Sequence, residues 1–199
     1  MKSVLRTFIA VDISPAVQSG IQKAMKPLIQ AFPDIKWVNE PNFHVTLKFL
    51  GDVPMTGLYH VIREVEKVCR DVEPFDLVFS GIGAFPNMEF PRSLWVGVQD
   101  GVKEIQQLAG KLDAALQELG FPPERRGFSP HLTLGRTRWR DRQRVSGESH
   151  ASLQEMLEKQ KDRFFGCSPV DAVIVYSSEL RRNGPLYDPL ATIELSPVT

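Results

Sequence analysis

Residues 131–134 read HLTL, and residues 44–47 read HVTL. The chain writes His-x-Thr-Leu twice, most of a domain apart, with only four histidines to draw on. If Thr fills about one position in twenty and Leu about one in ten, that coincidence arises on the order of once in several thousand chains. Both tetrads sit in β-forming surroundings, NFHVTLKFLG (42–51) and HLTLGRTR (131–138). In a strand, alternate side chains share a face. His44 and Thr46 therefore point one way, with Val45 and Leu47 opposite. His131 and Thr133 point one way, with Leu132 and Leu134 opposite. Laid side by side, the two strands offer two imidazoles and two hydroxyls to one cleft.

Working outward, residues 4–12 (VLRTFIAVD) read as a buried strand, and Ser14-Pro15 as the cap and first position of a helix carrying Val17, Ile21, Leu28 and Ile29. Pro27 is expected to bend that helix. A helix is expected over about residues 56–72, on the apolar stripe Leu58, Val61, Ile62, Val65, Cys69 and Val72. FDLVFSGIGAF and SLWVGV read as two strands. The clearest helix runs over about 102–119 and stops at Gly120. A polar linker around SGESHAS leads to a short helix near 152–163, then to the strands VDAVIVYSS and YDPLATIEL. This order fits an α+β fold, not a regular βαβ alternation. The halves read as rough copies, each a His-x-Thr-Leu strand followed by a helix and a strand pair. The expected architecture is one bilobal domain over residues 1–199, its two pseudo-symmetric, antiparallel-rich lobes facing a central cleft with helices outside.

With 199 residues, 42% hydrophobic and 24% charged, the chain reads as an ordinary globular protein. Its 24 basic and 24 acidic residues balance, so net charge does not advertise nucleic-acid binding, though a local basic patch fits. Cys69 and Cys167 lack metal or redox spacing, which points to a reducing compartment. The start, MKSVLRTFIAVDIS, lacks the uninterrupted apolar run and cleavage site of a leader. No stretch approaches the roughly 20 apolar residues of a membrane span. The expected location is the cytoplasm.

The paired tetrads suit in-line displacement at phosphorus. One imidazole takes a proton from water and the other gives one to the departing oxygen, tasks that an unperturbed pKa of about 6.5 allows. Thr46 and Thr133 can hydrogen-bond the non-bridging oxygens. A lone strand histidine is a packed or surface residue about ten times more often than a catalyst, but the duplicated tetrad reverses that for His44 and His131. His60, on the polar side of a helix, and His150, in the linker, read as solvated. There is no HExxH and no Cys/His pair at ligand spacing, so neither metal nor cofactor is expected.

RTFIAVDI, NFHVTLKFLGDV, SLWVGV, FSPHLTLGRTR and GPLYDPL resemble the successive landmarks of the two-histidine (2H) phosphoesterases, and within them the RNA 2',3'-cyclic phosphodiesterases, once called 2'-5' RNA ligases. The likeness spans nearly the whole chain and is weakest over about 139–165. It implies metal-independent hydrolysis of RNA 2',3'-cyclic phosphate ends to 2'-phosphates, with His44 as proton donor, His131 as proton acceptor and Arg136 on the phosphate. RNA is the implied partner, and no obligatory protein partner is. The rival readings are ligase-like transesterification, a phosphodiesterase of small cyclic nucleotides, and a non-catalytic module binding RNA ends.

Arg136 stands at an odd offset from His131, so a regular strand would turn it from the cleft; a bulge or strand end near Gly135 would turn it back. Arg136, Arg138, Arg140, Arg142 and Arg144 occupy every second position. They read equally as an RNA-contacting strip or as a solvated loop partly neutralised by Asp141. Phe49 and Phe128, beside the two motifs, read as packing residues, with base stacking as the alternative.

Overall fold

The computed structural model describes residues 3–124, 127–137, 147–181 and 184–196. In chain order the elements are β1 (Val4–Asp12), α1 (Pro15–Ala31), β2 (Lys36–Trp37), a 3-10 turn (Glu40–Asn42), β3 (His44–Pro54), α2 (Met55–Cys69), β4 (Phe75–Phe85) and β5 (Ser93–Asp100). Then come α3 (Val102–Gln117), β6 (His131–Arg136), α4 (Gly147–Glu158), β7 (Phe164–Val170), β8 (Ala172–Arg181) and β9 (Gly184–Glu194). The fold is α+β, as the element order implied. The strands form one sheet in the order β7-β4-β5-β6-β3-β1-β8-β9, with β2 pairing β6. Every pairing is antiparallel.

The two His-x-Thr-Leu strands are the middle pair, with three strands outward on each side. A rough two-fold relation exchanges β3 with β6, β1 with β5, and β8 with β4. The two halves meet at the bridge Val45↔Leu132. Val45, Leu47, Leu132 and Leu134 are all buried, each worth about 1.5–3 kcal/mol of apolar transfer. His44, Thr46, His131 and Thr133 are half-buried on the opposite face. The alternation read from the sequence is thus the alternation of the sheet.

Ser14 caps α1, its Oγ accepting from the Val17 amide at 3.5 Å, and Pro15 opens the helix. The helix runs on through Pro27 to Ala31. After α3 the chain turns at Gly120, whose φ of +87° suits glycine at a helix stop. Two strands escaped the sequence reading. The β7 segment FFGCSPV holds Gly166 and Pro169, both strand-breaking signals, but β7 is an edge strand, where proline is tolerated. The two-residue β2 is too short to leave a pattern. α4 begins five residues earlier than expected and ends at Glu158, with Leu153 and Leu157 buried beneath it. Among the described residues, no helix is long and apolar enough to cross a membrane.

Candidate active site

The site is built around the bridge Val45↔Leu132. One step along each antiparallel strand sets His44 across from Thr133 and Thr46 across from His131. Each imidazole is held the same way. His44 Nδ1 donates to the Asn42 carbonyl at 2.8 Å, and His131 Nδ1 donates to the Ser129 carbonyl at 2.7 Å. A carbonyl can only accept, so Nδ1 carries a proton in both rings and Nε2 is the nitrogen left for chemistry. In neutral His44, Nε2 accepts from the Thr46 hydroxyl at 3.0 Å.

Bulges decide what else reaches this face. Trp95 pairs with Thr133 and Leu94 with Gly135, so Leu134 is an extra residue on β6. The bulge shifts the alternation by one, and Arg136, paired with Ser93, joins the face of His131 and Thr133. The turn-back expected near Gly135 is therefore present. Gly135 is needed there, because a Cβ would come within 2.9 Å of the Trp37 ring. β3 carries a matching bulge. Ala10 pairs with Thr46 and Ile9 with Lys48, leaving Leu47 extra. Lys48 then points inward and is buried, with Nζ donating to Asp113 and to the Pro122 carbonyl.

Aromatic rings surround both histidines. The Phe8 ring lies 4.9 Å from His44 and 5.2 Å from Tyr176, stacked on the latter, while Tyr187 meets His44 edge-on at 5.3 Å. Phe85 meets His131 edge-on at 5.0 Å, with Trp95 behind it at 5.2 Å from Phe85. The Trp95 indole occupies the space a Cβ would need at Gly83, and its buried Nε1 has no hydrogen-bond partner among the described residues. Burial pulls the His44 imidazole down from 6.5 to about 4, against the opposing Asn42 hydrogen bond. Burial raises the Tyr187 phenol, while Arg136 and Arg6 oppose that rise. Arg136 therefore acts electrostatically on the ring that touches His44. Tyr176 donates to Asp12 at 2.8 Å, and its phenol is also raised, chiefly by burial.

Of the residues singled out from sequence, the structure brings His44, Thr46, His131, Thr133 and Arg136 to one face. Arg138, Arg140, Arg142, Arg144 and Asp141 lie outside the described residues, as does the His150 side chain. His60 is exposed on α2, as expected. Phe128 packs against the core, as expected, but Phe49 does not: it is 58% exposed. Among the described residues, no three of His, Cys, Asp and Glu gather as a metal site would require. The sequence analysis assigned no role to Asn42 or to the rings of Phe8, Phe85, Trp95, Tyr176 and Tyr187, although Phe8, Asn42, Trp95 and Tyr187 lie inside the landmarks RTFIAVDI, NFHVTLKFLGDV, SLWVGV and GPLYDPL.

The family model described as the 2'-5' RNA ligase superfamily matches residues 7–182. A Methanothermobacter thermautotrophicus protein named RNA 2',3'-cyclic phosphodiesterase is 32% identical over 96% of this chain and 99% of its own. An Aquifex aeolicus protein of the same name is 30% identical over 92% of this chain and 94% of its own. A crystal structure of a Thermus thermophilus protein superposes with a TM-score of 0.75 at 28% identity, covering 96% of this chain and 98% of that one. By sequence and by fold, this chain belongs to the 2'-5' RNA ligase superfamily.

Proposed function

We propose that this protein hydrolyses RNA 2',3'-cyclic phosphate ends to 2'-phosphates. One observation carries the reading: two imidazoles on paired central strands, each with Nδ1 tied to a backbone carbonyl and Nε2 left for chemistry. The names of the relatives supply the substrate class. His131 Nε2 takes a proton from water as the water oxygen bonds to phosphorus. The P–O3' bond breaks, and His44 Nε2 gives its proton to the 3'-oxygen. The product carries a 2'-phosphate and a 3'-hydroxyl. Thr46, Thr133 and Arg136 hold the non-bridging oxygens while charge builds on them.

The donor role sets a condition on His44. With its imidazole pulled down to about 4, the ring is neutral in the empty cleft at pH 7. The negative phosphodiester must raise it on binding, as an adjacent opposite charge does. The acid is thereby armed by its own substrate. Metal independence is supported by the donor set, two imidazoles and two hydroxyls with no carboxylate cluster beside them among the described residues. The continuous sheet supports one bilobal domain over residues 1–199. Unpaired Cys69 and Cys167 suit the reducing cytoplasm.

The test is to incubate the purified protein, in EDTA, with an oligoribonucleotide ending in 2',3'-cyclic phosphate and to identify the ends formed. A 2'-phosphate end is expected. Activity that EDTA abolishes and one divalent ion restores would make it a metallohydrolase.

A further inference from the structure

The cleft face carries a second guanidinium that the chemistry at the histidines does not use. Asp12, Ala10 and Phe8 of β1 share the face of His44 and Thr46, through the pairs Asp12↔His44, Ala10↔Thr46 and Phe8↔Phe49. Arg6 is the next residue of β1 on that face. Phe8 is buried beneath Phe49, Tyr176 and Tyr187, whereas Arg6 is exposed. One step past the pair Thr7↔Ser177, Arg6 lies beside Ser178, and Ser178 pairs with Tyr187. Arg6, Ser178 and Tyr187 therefore form a row across β1, β8 and β9, just beyond the aromatic row of Phe8 and Tyr176. Among the described residues, Arg6 makes no hydrogen bond or ion pair, although Asp52 stands opposite it on β3. The hydroxyls of Ser178 and Tyr187 have no hydrogen-bond partner there either. The Tyr187 ring is nonetheless held, at 4.9 Å from Phe8 and 5.3 Å from His44. Its phenol feels the charge of both Arg6 and Arg136. Positive potential thus runs from the phosphate side of the histidines, past Tyr187, out to Arg6.

We propose that Arg6, with the Ser178 and Tyr187 hydroxyls beside it, binds the phosphodiester that precedes the cyclic end of the RNA. A guanidinium and two hydroxyls, all donors and all without a protein acceptor, suit a backbone phosphate. Along β1, Arg6 is four residues from Ala10, the partner of Thr46, a rise of roughly 13 Å. The arginine side chain covers part of that distance, and the remainder is the step from one RNA phosphate to the next. Such a contact carries no base information, so it reads a chain end of any sequence and sets it apart from a free nucleoside cyclic phosphate. This inference rests on the proposed nucleotide chemistry of the site, and its test separates the two.

The test is to measure binding of adenosine 2'-monophosphate and of adenosine 2',5'-bisphosphate to wild type, Arg6→Lys, Arg6→Gln and Tyr187→Phe. The 5'-phosphate stands in for the preceding phosphodiester, and the ratio of the two affinities on one protein cancels any loss of folded molecules. Wild type should prefer the bisphosphate by about tenfold, on the scale of one charge-assisted contact. That preference should shrink as salt is raised. Arg6→Gln should lose most of it, Arg6→Lys should keep part, because the charge stays and the fork is lost, and Tyr187→Phe should lose a smaller share. No bisphosphate preference in wild type, or full preference in Arg6→Gln, would overturn the subsite. A preference lost in Arg6→Gln, in a protein that leaves cyclic phosphate ends uncut, would sink the proposed hydrolysis and keep the subsite. Cleavage of cyclic ends with the preference intact in Arg6→Gln would do the reverse.

Discussion

Val45 and Leu132 are antiparallel partners, and their bridge joins the two halves of the sheet between the two histidines. Both side chains are fully buried. The catalytic geometry and the stability of the central sheet therefore depend on the same contact.

Leu132→Ala should cost about 2–5 kcal/mol, the usual cost of emptying a buried leucine site. Chemical denaturation measures it. Activity per folded molecule should fall as well, because the bridge sets the spacing of His44 and His131. A loss of stability with unchanged turnover would show that the spacing is fixed elsewhere.

Asn42 should act as a positioning residue for His44. Its carbonyl accepts from His44 Nδ1, while its own Nδ2 donates to the Pro185 carbonyl at 3.0 Å, bracing the turn against β9. Asn42→Ala should lower kcat about tenfold with a smaller change in KM, on the scale of a slightly misplaced proton-transfer group. Asn42→Asp, which matches the shape but cannot donate, should not rescue. Full activity in either folded variant would remove the brace from the account.

Lys48 is the buried member of its pair with Asp113, which stays partly exposed and also accepts from the Glu124 amide. Asp113→Leu leaves the buried Lys48 ammonium without its carboxylate and should destabilise by about 3–5 kcal/mol. The double variant Lys48→Met/Asp113→Leu should recover much of that loss. Additive losses in the double variant would contradict the pairing.

The low pKa of His44 has a definite sign. Lowered from 6.5 to about 4, the ring favours the fold when neutral. That contribution is complete above about pH 6.5 and is lost as pH falls toward 4. The stability advantage of wild type over His44→Gln should shrink by about 2–3 kcal/mol between pH 7 and pH 4.5. Urea midpoints at the two values measure this, and a pH-independent difference would contradict it. In NMR, the His44 ring should titrate near 4 when free and higher with a bound 2'-nucleotide.

The motif strands were readable because they are half-buried, so the sequence alternates as the structure does. Periodicity set His44 with Thr46 and His131 with Thr133; the pairing of β3 with β6 brings the four to one face. Arg136 and Phe49 stand at the same odd offset and needed bulges, which are visible only in the pairing with Trp95 and Phe8. β1 hid Phe8 differently: Phe8, Ile9, Ala10 and Val11 are all buried, so the run FIAV shows no alternation to mark the residue beside His44. No local pattern marks Lys48 as buried, because its partner Asp113 lies 65 residues away in sequence. Tyr187 reaches His44 from β9, the far edge of the sheet, a closeness no local pattern encodes.

The central claim is that His44 and His131 act as one acid–base pair. Its most direct test is turnover of an oligoribonucleotide 2',3'-cyclic phosphate by wild type, His44→Ala, His131→Ala and the double variant, all in EDTA. Each single variant should lose about 10²-fold or more, because each removes a proton-transfer partner. The double should lose far less than the product of the two. A bell-shaped wild-type pH profile should accompany this, since one ring must be neutral and the other charged. Near-wild-type turnover by either folded single variant would contradict the account.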